Sequence, residues 1–180
     1  MSGSYFNCLS EQHLLLFGTI TQWFARYELL LDEIIATIIG SDAATVLLLI
    51  GDLSFGSKRQ VLLDLLRHRS ISLDQFDRVY AFLDVPETLL PLRNDIAHSA
   101  WIRCENPNSI QPEWIFRSRP SIRPLHDDPH APSESFVETA QDKIGYTMED
   151  LIAMAARLAT NYELFTSYLS DKGLIPEISN

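Results

Sequence analysis

The sequence predicts a mainly α-helical fold, a single domain over residues 1–180 with a small β-hairpin and loop inserted at residues 102–135. Three observations carry this expectation. Stretches along most of the chain place apolar residues at alternating steps of three and four, one face of a helix. A single patch, around Asn106-Pro107-Asn108, reads as strand, turn and strand. The 180 residues are 46% hydrophobic, which supplies one core and not two.

The longest periodic stretch runs from Ser10 to Ile39. Phe17, Ile20, Phe24, Tyr27, Leu31, Ile34 and Ile38 fall on one helical face, and Trp23, Leu30 and Ile35 widen it. Ser10 suits the start of this helix and Gly40 its end. At about 28 residues it is roughly 42 Å long, the length of a domain. A stripe so wide implies contacts on more than one side, with a core or a core plus a dimer face as the two readings. Asp42 caps a short apolar helix that ends at Ile50 before Gly51. Ser57 and Gln60 have capping-box spacing and open a helix with Val61, Leu62, Leu65 and Leu66 inward. Arg67, His68 and Arg69 at its end suit the helix dipole. Another helix covers Ser72 to Leu83, with Phe76, Val79, Tyr80 and Leu83 inward. Pro86 and Glu87 read as the first turn of the next, and Pro91 as a kink or a fresh start. The hairpin pairs 101–103 with 114–117, and the Pro-, Ser-, His- and Asp-rich stretch to Ser135 is loop. Thr147 opens a last helix that ends at Asp171-Lys172-Gly173, with Met148, Leu151, Ala155, Leu158, Tyr162, Phe165 and Leu169 inward.

Charge and composition narrow the function. The formal net charge is −10, so no global field draws nucleic acid, and contact with RNA needs a local basic patch. Cys8 and Cys104 read as reduced thiols. No apolar run of about 20 residues predicts a membrane span, and no secretory signal is recognised; the expectation is a cytoplasmic protein. No metal site and no cofactor are expected. His126-Asp127-Asp128-Pro129-His130 has metal-ligand residue types but reads as a solvated loop. Glu28 and Asp32 read as the wet edge of the first helix, with Glu28 within possible reach of Arg93.

One short segment concentrates the chemistry: Arg93-Asn94-Asp95-Ile96-Ala97-His98. Asn94 and His98 are four apart and share a helical face, while Arg93 lies about 140° round from His98. A histidine exchanges protons near neutral pH, and an arginine holds phosphate with a permanently charged fork of donors. A helix start at Pro91 would add free amides that favour an anion. Arg103, Arg117, Arg119 and Arg123 make the hairpin locally positive, and Trp101 and Trp114 read either as bases' stacking partners or as cover for the core.

The Arg-Asn-x3-His string resembles the motif of HEPN domains, and so does its setting between a long first helix and a final amphipathic one. The resemblance covers most of the chain outside the insertion. It implies a HEPN-like helical bundle, a two-fold homodimer and a metal-independent endoribonuclease, a toxin or defence effector. Arg93 and His98 would be catalytic with Asn94 assisting, and Arg103, Arg117, Arg119, Arg123 and Trp101 would bind RNA. Some HEPN toxins carry a modified tyrosine two residues after the histidine; this chain has Ala100. The alternative implied by the same family is a non-catalytic module that binds a nucleotide or a protein partner, such as an antitoxin or defence protein.

Overall fold

The computed structural model describes residues 9–103, 109–112 and 145–175. Among them are five helices, α1 (Glu11–Ile39), α2 (Ala43–Ile50), α3 (Phe55–His68), α4 (Leu73–His98) and α5 (Met148–Asp171). Three short strands complete them: β1 (Trp101–Arg103), β2 (Ser109–Pro112) and β3 (Tyr146–Thr147). The mainly helical class is as the sequence predicts. No single helix among the described residues is long and apolar enough to cross a membrane.

Helix α1 is the axis of the bundle, and α2, α3, α4 and α5 all pack on it. The Ser10 hydroxyl caps its start, and Gly40 ends it with φ +72°, a left-handed turn that glycine adopts without strain. Phe17, Ile20, Phe24, Tyr27, Leu31 and Ile34 are buried, together with Leu30 and Ile35. This is the wide stripe read as contact on several sides. Tyr27 is fully buried and meets the rings of Phe55 and Tyr162 edge-on. Arg69, just past α3, donates to the Ile38 carbonyl at the far end of α1.

Four local expectations are corrected. The cap of α3 is the Ser54 hydroxyl, which accepts from Ser57 N–H, so the helix begins three residues before the Ser57–Gln60 pattern. Tyr80 is 44% exposed rather than inward, and the Arg59 guanidinium lies over its ring. Residues 101–103 do form a strand, but its partner is Ser109–Pro112, in antiparallel register with Trp101 opposite Pro112. The 114–117 strand lies outside the described residues. A third strand, Tyr146–Thr147, adds to β2 and runs directly into α5, so the expected hairpin is the edge of a three-stranded sheet.

The fourth correction concerns the prolines. Helix α4 is continuous through Pro86 and Pro91. Pro86 has no N–H to give the carbonyl of Phe82, one turn before it. A side chain from α5 supplies the missing donor: Asn161 Nδ2 lies 2.8 Å from Phe82 O. The same nitrogen lies 2.7 Å from the Tyr27 hydroxyl, which itself donates to Leu158 O at 3.2 Å. One amide thus ties α1, α4 and α5 together where the helix ladder is broken. Asn161→Ala is expected to lower stability by about 1–3 kcal/mol, because the Phe82 carbonyl loses its donor. Pro86→Ala restores an N–H in register, so the loss should shrink by about 1 kcal/mol in that background. Equal losses in both backgrounds, by denaturant titration, would contradict this account.

Burial also sets a pH limit. The Tyr27 phenol is pushed from its usual 10.0 up to about 12 by burial, against the bond from Asn161, which lowers it, and with the nearby Tyr162, which raises it. A raised phenol favours the neutral form in the folded state. Its contribution is complete below about pH 10 and is lost as pH rises towards about 12, some ~2–3 kcal/mol in all. Thermal melts from pH 9 to 12 should show this loss, and Tyr27→Phe should flatten the decline. An unchanged slope in that variant would refute the assignment.

Candidate functional site

The Arg93–His98 segment forms the last turns of α4, not the first turns of a helix. The chain leaves the helix at Ser99, whose extended backbone still donates to Asp95 O. The carbonyl end of the helix dipole therefore faces this segment, and it repels an anion where free amides would attract one. The expectation of an amide-lined anion site after Pro91 is thus overturned. Phosphate affinity here has to come from side chains.

The side chains divide cleanly round the helix. Asn94 and His98 are exposed, Arg93 is half-buried, and Asp95 is buried. Arg93 Nη1 donates to Asn94 Oδ1 at 3.2 Å. That bond draws the guanidinium round towards the face that Asn94 and His98 share, closing part of the 140° between them. Asn94 thus orients the arginine, and among the described residues no hydrogen bond joins it to His98. No ion pair links Glu28 to Arg93 among the described residues either.

Asp95 is the member that sequence reasoning passed over. It is 3% exposed, on the inner side of the motif. Its carboxylate hydrogen-bonds the Tyr146 hydroxyl of β3, and that phenol is raised by burial first and by the Asp95 charge and bond next. Trp101 packs on Tyr146 at 6.0 Å and on Phe17 of α1 at 4.7 Å. The end of the motif helix is thereby fixed to the sheet and to α1, which leaves its outer face, with Asn94 and His98, in solvent. The signal in the sequence was the spacing itself: Asp95 follows Leu92 by three and precedes Ile96 by one, inside the apolar stripe.

The RNA-binding expectations fare unevenly. Trp101 is 6% exposed, a core residue, so its ring is not presented to a base. Arg103 is the end of β1 and pairs through its backbone with Ile110. Arg117, Arg119, Arg123, Trp114 and the His126–His130 stretch lie outside the described residues. Several described cations meet partners within the chain, Arg67 with Asp64, Arg78 with Asp74, Arg26 over Trp23 and, across elements, Arg69 on the Ile38 carbonyl. Among the described residues no three His, Cys, Asp or Glu side chains converge on a metal position.

Another surface sits at the same end of the molecule. Leu14, Leu15, Gly18, Thr19, Gln22, Trp23 and Arg26 of α1 line a shallow, open groove of about 430 Å³. Leu14 and Leu15 are 55% and 71% exposed, and no acidic side chain lines the groove. Phe17, on the opposite side of the same turns, is the residue that holds Trp101.

No family model, curated protein or solved structure matches the chain.

Proposed function

We propose that this chain is a metal-independent endoribonuclease of HEPN type, a cytoplasmic toxin or defence effector that works as a two-fold homodimer. The observation that carries the reading is the Arg93–Asn94 bond, which brings a permanent cation towards the exposed face that bears His98. The reaction suits those groups. His98 takes the proton of a ribose 2′-hydroxyl, whose oxygen attacks the adjacent phosphorus. The bond to the 5′-oxygen breaks, that oxygen receives a proton, and a cyclic phosphodiester remains. Arg93 stabilises the charge that builds on the phosphoryl oxygens. The second proton transfer is served by His98 of a second copy, and the arginines of 103–123 guide the strand.

The α1 groove supports the two-fold pairing. Its lining is mostly apolar, with the exposed Leu14 and Leu15 and no acidic side chain, and its one charged member, Arg26, lies over the Trp23 ring. The net charge of −10 instead favours the second reading, a non-catalytic module that binds a nucleotide or a protein partner. The test is purified protein with single-stranded RNA and the matching DNA in EDTA, beside light scattering at micromolar concentration. RNA cut with DNA intact, by a dimeric species, supports the nuclease. RNA left whole across a broad set of sequences supports the binding module.

A further inference from the structure

We propose that α2 is a docking surface for a basic amphipathic helix of another protein, a role independent of the nuclease reading. The sequence of α2, Ala-Ala-Thr-Val-Leu-Leu-Leu-Ile, is that of a core helix, yet the fold buries little of it. Val46 is 1% exposed and faces the bundle, while Leu47, Leu48 and Leu49 are 45%, 88% and 72% exposed. Successive residues turn by about 100°, so these three leucines cover more than half of the helix circumference. Leu53, just past the helix, adds a further exposed apolar side chain, at 38%. Single exposed leucines are ordinary, but three in a row on one short helix form a continuous apolar surface of the kind that marks an interaction site.

The charge around this surface selects the occupant. Asp42 and Asp52 stand exposed at the two ends of α2. From Tyr27 to Ser57 the chain holds no lysine, arginine or histidine, while Glu28, Glu33, Asp42 and Asp52 lie within it, Asp32 in the same stretch being buried and paired with Lys58. Arg69 donates to the Ile38 carbonyl at the neighbouring end of α1 and keeps its charge, so the acidic surplus at the patch rests on the exposed Asp42 and Asp52. The patch is therefore apolar with an acidic rim. A second copy would bring the same acids against Asp42 and Asp52 whichever way the two helices ran. An anionic bilayer is repelled by the same groups, and α2 lacks the lysines, arginines and aromatic residues that seat an interfacial helix. A helix with leucines at steps of three and four, flanked by lysine or arginine, satisfies both the apolar face and the rim. Flanking charges of this kind set partner choice in paired helices.

The experiment uses the full chain and a labelled synthetic helical peptide with leucine at steps of three and four and lysine elsewhere, followed by fluorescence anisotropy. Two control peptides have the same composition scrambled, or glutamate in place of lysine. Leu48→Gln/Leu49→Gln should weaken binding of the lysine peptide by about tenfold or more. Asp42→Asn/Asp52→Asn should weaken it too and flatten its salt dependence, and asparagine keeps the α2 cap so the helix stays formed. The proposal is overturned if the wild type binds neither the lysine nor the glutamate peptide, or binds the glutamate or scrambled peptide as well as the lysine one. It is equally overturned if the leucine variant binds unchanged. Concentration-dependent self-association abolished by the leucine variant would assign the patch to a second copy. Sedimentation with phosphatidylcholine vesicles abolished by it would assign the patch to a bilayer.

Discussion

His98→Ala is expected to lower RNA cleavage by about 10²–10⁴-fold, the usual worth of a positioned general acid or base. The protein should remain folded, because His98 is exposed and substitutions at such positions usually change stability by less than about 0.5 kcal/mol. Arg93→Ala should cost about 10²–10³-fold, since it removes a charge that acts on the developing phosphorane. Arg93→Lys separates charge from geometry: lysine keeps the charge but lacks the fork that reaches Asn94 and phosphate together. Recovery of only a small part of the activity is expected. Asn94→Ala should fall between wild type and Arg93→Ala, because Asn94 holds the arginine and makes no hydrogen bond to His98. If Asn94→Ala is as damaging as His98→Ala, the amide meets the substrate directly and the anchoring role is wrong. If His98→Ala cleaves as well as wild type, the nuclease reading fails and the binding module stands.

The helices were legible because burial on a helix is a local period. The inward positions of α1 and α5 follow from the spacing of Phe17, Ile20 and Phe24, and of Leu151, Ala155 and Leu158, and these residues are buried. What was not legible depends on partners far along the chain. Pro86 and Pro91 read as a break because a proline leaves a carbonyl without a donor. The helix continues through Pro86 because Asn161, from α5, donates to the Phe82 carbonyl. No local rule predicts that. The consequence reached the candidate site, since the motif then falls at the end of a long helix rather than at the start of a short one. The strand at 101–103 was legible, but its partner and the third strand were not: β2 has four residues and β3 two, and so few residues carry little alternation.

Asp32 shows the other way a sequence misleads. Four residues after Glu28 on a long helix, it reads as wet, yet it is 3% exposed. Its partner gave a signal. Lys58 stands three after Phe55 and four before Leu62, both buried, so it lies within the inward stripe of α3. A lysine there is in place only if an anion meets it, and α1 supplies Asp32.

The Lys58–Asp32 pair carries the largest expected effect on stability. Lys58 Nζ lies 2.7 Å from Asp32 Oδ2, both side chains are almost wholly buried, and Asp32 Oδ1 is buried without a hydrogen-bond partner. Removing the cation leaves a carboxylate in the core with neither water nor counter-charge. Lys58→Met keeps most of the volume and deletes the ammonium, and it should destabilise the fold by about 3–5 kcal/mol. Asp32→Leu alone should cost a similar amount by stranding the ammonium. The double variant, Lys58→Met/Asp32→Leu, removes both charges together and should return to near wild-type stability or exceed it by about 1–4 kcal/mol. The four proteins form a double-mutant cycle, and denaturant titration gives the coupling directly. Salt separates this pair from the surface pairs: at 1 M ionic strength an exposed ion pair is screened within about 3 Å, while a buried one is hardly touched. The single-variant losses should therefore persist in high salt. A loss below about 1 kcal/mol in Lys58→Met, or one that vanishes with salt, would mean that water reaches the pair. A double variant as unstable as the singles would mean instead that the pair is needed to set α3 against α1, because the apolar replacements would then restore the solvation balance without restoring the packing register.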